Sequence, residues 1–137
     1  MKVLVPTDGS ESSMKAVRMA LDMAKHEGAK ITLMSVAFHA TRDFDEMPPN
    51  IQDKLDVAAR NALNKAKAVF EAEGIPVESV LEAGYVPANN IVEKAREGKY
   101  DKVVMGSTGT SALKEVLIGS TAAKVSAHAP CTVIIAR

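Results

Sequence analysis

Cysteine is nearly absent from this sequence. Cys131 stands alone, so no disulfide framework can form, and the three histidines, His26, His39 and His128, show no metal-ligand spacing. Excess charge of either sign is missing as well. Seventeen basic residues balance seventeen acidic ones, leaving no long-range field to draw nucleic acid or an anionic membrane surface. Long apolar runs are lacking too. The opening MKVLVPTDGS is interrupted by Pro6 and Asp8 before it reaches the length of a signal-peptide core or a membrane span. These absences predict a soluble, cytoplasmic protein of a reducing compartment, with no nucleic-acid or membrane partner. No lysine follows a glycine in the GxxxxGK[ST] spacing, and no GxGxxG follows the first apolar run, so neither common phosphate loop is present.

What the sequence does have is a rhythm. Short runs rich in Val and Ile alternate with longer stretches whose apolar residues recur every three or four positions. The runs predict strands over 2–7, 30–38, 76–82, 101–107 and 131–136. The longer stretches predict helices over 12–27 (Val17, Ala20, Leu21 and Ala24 on one face), 51–73 (Leu55, Ala59, Ala62, Ala66 and Phe70), 88–97 and 120–128. Gly28, Gly74 and Gly98 each fall just past a helix, as left-handed C-terminal caps would. At 137 residues this is one domain, spanning 1–137, large enough to bury a core without staples. Strands joined by helices pair in parallel with right-handed crossovers, which predicts an α/β fold, a three-layer doubly wound parallel five-stranded sheet. The irregular stretch over 38–50 is the candidate for a lid.

In such sheets ligands sit beyond the carboxyl ends of the strands, where the strand order reverses. The first strand ends in Pro6-Thr7-Asp8-Gly9-Ser10, the second in Ser35-Val36-Ala37 and the fourth in Met105-Gly106-Ser107-Thr108-Gly109. Ten residues after Gly109 comes Gly119-Ser120-Thr121, which would open the last helix. A helix N-terminus flanked by glycines and small hydroxyl residues suits a phosphate or another anion. A carboxylate at the end of the first strand suits a ribose hydroxyl or a hydrated magnesium ion, and Asp8 is that carboxylate.

Gly106-x2-Gly109-x9-Gly119-Ser120 resembles the nucleotide-binding signature of the universal stress protein family. The opening VLVPTDGSESS, the second strand ending in Ser35-Val36, DKVVMGSTG and the closing HAPCTVIIAR resemble family segments in family order, over nearly the entire chain. The resemblance implies a flavodoxin-like, adenine nucleotide alpha hydrolase-like sheet of order 3-2-1-4-5 and binding of ATP with Mg2+. It also implies a regulatory role in stress response. It puts Pro6, Thr7, Asp8 and Val36 around adenine and ribose, with Met105, Gly106, Ser107, Thr108, Gly109, Gly119, Ser120 and Thr121 near ribose and phosphates. At Thr108 many family members carry a larger or basic residue.

Plainer readings stand beside these. Asp8 could cap the first helix, Gly106 and Gly109 could make a tight turn, and Ser120 could be an ordinary N-cap. Gly84 reads as a turn, His128 as a cation at a helix C-terminus, and Cys131 as an inert buried thiol. Competing functions fit less well. A receiver domain needs an acidic pair after the first strand and a phosphoacceptor aspartate after the third, but Asp8-Gly9 and Glu82-Ala83-Gly84 stand there. An adenylating enzyme would show an SGGxDS-like loop, which Pro6-Thr7-Asp8-Gly9-Ser10 does not match. The alternative is a partner-binding scaffold that makes no use of nucleotide. No strong catalytic set appears, so at most slow hydrolysis or self-phosphorylation is expected. The strand over 131–136 would be an apolar sheet edge, predicting a homodimer through it.

Overall fold

The computed structural model describes residues 1–39, 48–108 and 118–137. Nine elements follow in chain order, namely β1 (Lys2–Pro6), α1 (Glu11–Glu27), β2 (Lys30–Phe38), α2 (Pro49–Ala72), β3 (Glu78–Gly84), α3 (Pro87–Glu97), β4 (Lys102–Gly106), α4 (Ser120–His128) and β5 (Thr132–Ala136). The five strands form one parallel sheet of order β3-β2-β1-β4-β5. The order reverses between β1 and β4, and their carboxyl ends therefore open a crevice. Every expected strand and helix is present. β3 starts two residues later than the expected 76, because Pro76 has no amide to donate and pairing begins at Glu78 opposite Thr32.

Strand alternation sorts the side chains into two cores. Val3, Val5, Ile31, Leu33 and Val104 meet α1 and α2 on one face, around a fully buried Phe70. Leu4, Met34, Val103 and Met105 meet α3 and α4 on the other. Ala59, Ala62, Ala66 and Phe70 are buried in α2 as the periodicity predicts, whereas Leu55 is only half-buried.

The ends of the helices show which signals held. Ser10, not Asp8, caps α1, its Oγ accepting the Ser13 amide at 3.2 Å. Gly28 and Gly74 are left-handed as expected, at φ of 68° and 66°. Gly98 is not. Its φ is −81°, and Lys99 makes the left-handed turn instead, at 53°. A β-carbon at Gly98 would run into the Tyr100 ring, so this glycine makes room for an aromatic side chain. Gly84 closes β3 as its last paired residue, opposite Phe38, and is not part of a turn. In the stretch 38–50, Phe38 belongs to β2 and residues 49 and 50 to α2; the remainder of the expected lid, 40–47, lies outside the described residues. Among the described residues no helix is long and apolar enough to cross a membrane.

Candidate functional site

Three connections converge at the β1/β4 crevice. In the first, Thr7 is buried and fixed on several sides. Its amide donates to the Met34 carbonyl at 2.8 Å, its own carbonyl accepts the Ser35 hydroxyl at 2.7 Å, and its Oγ1 lies 2.9 Å from Ser13 Oγ. Asp8 follows in an exposed position. Its Oδ1 accepts the Ser10 amide at 3.0 Å, an Asx turn that sets the path of the chain into the cap of α1.

The second and third connections are the two ends of the glycine-rich segment, and the fold brings them together. The Gly119 amide donates to the Ser107 carbonyl, and the Ser107 amide donates to the Ala136 carbonyl at 3.2 Å. The first turn of α1 joins them, with Ser12 Oγ accepting the Thr108 amide at 3.2 Å and lying 3.5 Å from Ser107 Oγ. The chain therefore enters α4 beside the end of β4. Gly119 is the N-cap of α4 and Ser120 its first helical residue; among the described residues no side chain caps this helix, and no acidic residue stands in its first turn. Its leading amides, and with them the positive end of the helix dipole, begin beside the carboxyl end of β4. Gly119 has a φ of −75°, open to any residue, so its backbone conformation does not require glycine.

Gly106 answers to a different need. A β-carbon there would meet the backbone carbonyl carbon of Ser12 at 2.6 Å. The glycine lets the first turn of α1 lie directly against β4. Gly109 falls outside the described residues.

Below this polar rim lies an apolar floor. Alternation from Leu4 sets the buried Pro6 on the face covered by α3 and α4, the side to which Met105 and Val36 also belong. Pro6 pairs with Met34, and the register of β1 with β4, carried two residues on, sets Met105 level with Pro6. The predicted residues Pro6, Thr7, Asp8, Val36, Met105, Ser107, Thr108, Gly119, Ser120 and Thr121 thus come from the ends of β1, β2 and β4 and the start of α4.

The chain belongs to the universal stress protein family. A sequence profile of that family matches residues 1–137. Universal stress protein MJ0531 of Methanocaldococcus jannaschii is 34% identical over 141 residues, covering 99% of this chain and 81% of that protein. Universal stress protein YxiE of Bacillus subtilis is 30% identical, covering 99% of this chain and 98% of the relative. Among solved structures, the protein MJ0577 superposes with a TM-score of 0.84 at 27% identity, over 98% of this chain and 94% of that one. A universal stress protein in complex with cAMP superposes at 0.75 with 31% identity, over 100% of this chain and 97% of its own.

Sequence reasoning missed several residues that build the site. Ser12 and Ser13 carry hydrogen bonds across the crevice wall, and Ser13 was legible as the partner of a Ser-x-x-Ser cap. Lys65 was not legible. Its ammonium donates to the Gly9 carbonyl at 3.2 Å from far along the chain. Gly9 has a φ of 81°, and a β-carbon on it would come within 3.2 Å of Ala62, so α2 supports the β1–α1 loop from beneath. Cys131 is half-buried just before β5, and burial, with repulsion from Asp101 second, pushes its thiol above the ordinary range.

Proposed function

We propose that this protein binds ATP together with Mg2+ in the crevice above β1 and β4 and acts as a regulatory protein of stress response, its nucleotide state governing what it associates with. One arrangement carries the reading. The N-terminus of α4, without a side-chain cap among the described residues, is tied through Ser107 to the end of β4, directly beside the apolar floor of Pro6, Val36 and Met105. Leading amides favour phosphate, and an apolar floor favours a base. The cAMP complex of a relative 31% identical to this chain supports an adenine nucleotide.

In this reading Pro6, Thr7, Asp8 and Val36 face adenine and ribose. Ser107, Thr108, Gly119, Ser120 and Thr121 face ribose and phosphates. Magnesium characteristically keeps several waters and takes one or two carboxylates plus substrate phosphates. Among the described residues no cluster of three or more His, Cys, Asp or Glu side chains could hold a metal, so Asp8 would serve as the single carboxylate beside the phosphates. The nucleotide is a bound regulator, at most slowly hydrolysed or used in self-phosphorylation. The hydroxyls of Thr7, Ser12 and Ser13 are engaged in holding the walls together. The protein acts in the cytoplasm as a homodimer through β5.

The test is to purify the protein without added nucleotide, denature it and assay the supernatant for ATP and ADP, then to titrate ATP with and without Mg2+. Micromolar binding of ATP is expected. If no adenine nucleotide is released and none binds, the chain is a partner-binding scaffold and this reading is wrong.

A further inference from the structure

α3 and α4 pack together on one face of the sheet, and a notch of about 140 Å³ opens between them. Three pairs of residues, each pair one helical turn apart, build it. Ala88 and Val92 of α3 supply the apolar part, Ala88 buried and Val92 partly so. Asn89 and Glu93 line it from the same helix, and Lys124 and His128 line it from α4. These four polar residues are exposed.

Charge in the notch is uneven. Arg96 donates to Glu93 at 3.3 Å, so that carboxylate is matched on its own helix. Among the described residues the side chains of Lys124, His128 and Asn89 have neither an ion pair nor a hydrogen bond. α4 carries no acidic residue. Ala88 and Asn89 also stand in the first turn of α3, which holds no acidic residue and, among the described residues, has no side-chain cap. The positive end of that helix dipole therefore lies at the notch. An apolar spot is ringed by donors and by a cation that lack a partner.

Size decides between a metabolite and a protein. Small-molecule clefts run to roughly 300–1,000 Å³, whereas a space of roughly 150 Å³ holds one benzene. The notch takes one apolar side chain, which is the scale of an anchor in a protein interface.

We propose that the α3/α4 notch is a docking point for an acidic segment of a protein partner. That segment seats a leucine-sized side chain on Ala88 and Val92 and sets a flanking carboxylate against Lys124 and the Asn89 amide. The six lining residues are separate from those assigned to the nucleotide, so docking stands or falls without it.

Amide resonances of the isotope-labelled full chain, followed through titration with the capped pentapeptide EELEE, test this. KKLKK reverses the charge, EEAEE removes the anchor, and isovalerate offers a free carboxylate with the branched end of leucine. At about millimolar EELEE, shifts are expected in residues 88–93 and 120–128, with the other three probes binding about tenfold more weakly. Lys124→Glu should weaken EELEE about tenfold, and Lys124→Arg should bind it as the unaltered chain does. Lys124 is exposed, so neither substitution should move the thermal melt. The docking point is overturned if EELEE shifts neither segment, if KKLKK or EEAEE binds as well, or if Lys124→Glu changes nothing. Isovalerate binding as tightly as EELEE would make the notch a metabolite site and overturn the protein partner. Light scattering that finds a dimer in the unaltered chain and a monomer in Lys124→Glu would seat a second copy there and overturn it too.

Discussion

Asp8 and Ser10 sit two residues apart in one turn but carry different duties. Ser10 satisfies an amide of the first turn of α1, and its loss as Ser10→Ala should lower stability by about 1 kcal/mol, visible as a reduced melting temperature. Asp8 is exposed and not the cap. Asp8→Ala removes the bond accepted from the Ser10 amide and should lower the melt a little, while weakening ATP clearly, since a hydrogen bond to a charged group is worth about 1.5–3 kcal/mol. The reverse pattern, a lowered melt with ATP affinity intact, would make Asp8 a structural residue only. Cys131 gives a prediction in pH. Burial favours the neutral thiol, with Asp101 adding to it, so reaction with a disulfide reagent should be slow at neutral pH and rise only above the range of free cysteine. The folded thiol ionises at higher pH than the unfolded one, so its contribution to stability is intact below the unfolded pKa and is lost as pH climbs past it. Asp101→Asn should raise the neutral-pH rate only partly, because burial is the larger cause.

At the scale of elements, the contact of α1 with β4 is the tightest constraint near the site. Gly106→Ala would drive a methyl into the Ser12 backbone. Backbone cannot swing aside, so a loss of about 1–3 kcal/mol is expected, with α1 displaced from the crevice. Gly84→Ala meets the end of the Asn90 side chain instead, which can rotate away at the expense of its hydrogen bonds to Glu82 and Ala83. A thermal melt should rank Gly106→Ala as the more damaging of the two. This contrast also shows where the sequence could be read. Strands and helices were legible because alternation and helical spacing are local properties of the chain. The caps at Gly28 and Gly74 were legible for the same reason. The Gly98 expectation failed because its cause is a ring packed on it, and a glycine beside a helix end looks alike in both cases. The packing role of Gly106 was hidden, since Ser12 and Ser107 lie 95 residues apart and only the fold joins them. The two described ends of the glycine signature meet through the Gly119 amide and the Ser107 carbonyl. What spacing could not reveal was that one of these glycines serves a helix and the other opens one.

Among the described residues the sheet of the whole molecule has two edge strands, β3 and β5, and they differ. β3 carries Glu78 and Glu82, and Asn90 donates to its Ala83 carbonyl at 3.2 Å, so charge and a side chain already occupy that edge. β5 reads Thr132-Val133-Ile134-Ile135-Ala136, with the three central residues only partly buried and no charge among them. An apolar edge strand is a template for pairing, and a second copy of the same strand, laid antiparallel across a two-fold axis, satisfies both chains at once. The equal numbers of acidic and basic residues leave no net repulsion to oppose the approach. Light scattering on the eluting protein at micromolar concentration should therefore give twice the single-chain mass. Val133→Lys sets an ammonium on that edge in both copies, and like charges brought together on paired strands disfavour pairing. The variant should run as a monomer while keeping its helical and strand signals by circular dichroism, because Val133 is only partly covered in the single chain. An unaltered protein that is monomeric throughout would refute the β5 interface. A dimer that survives Val133→Lys with undiminished stability would move the interface to another face.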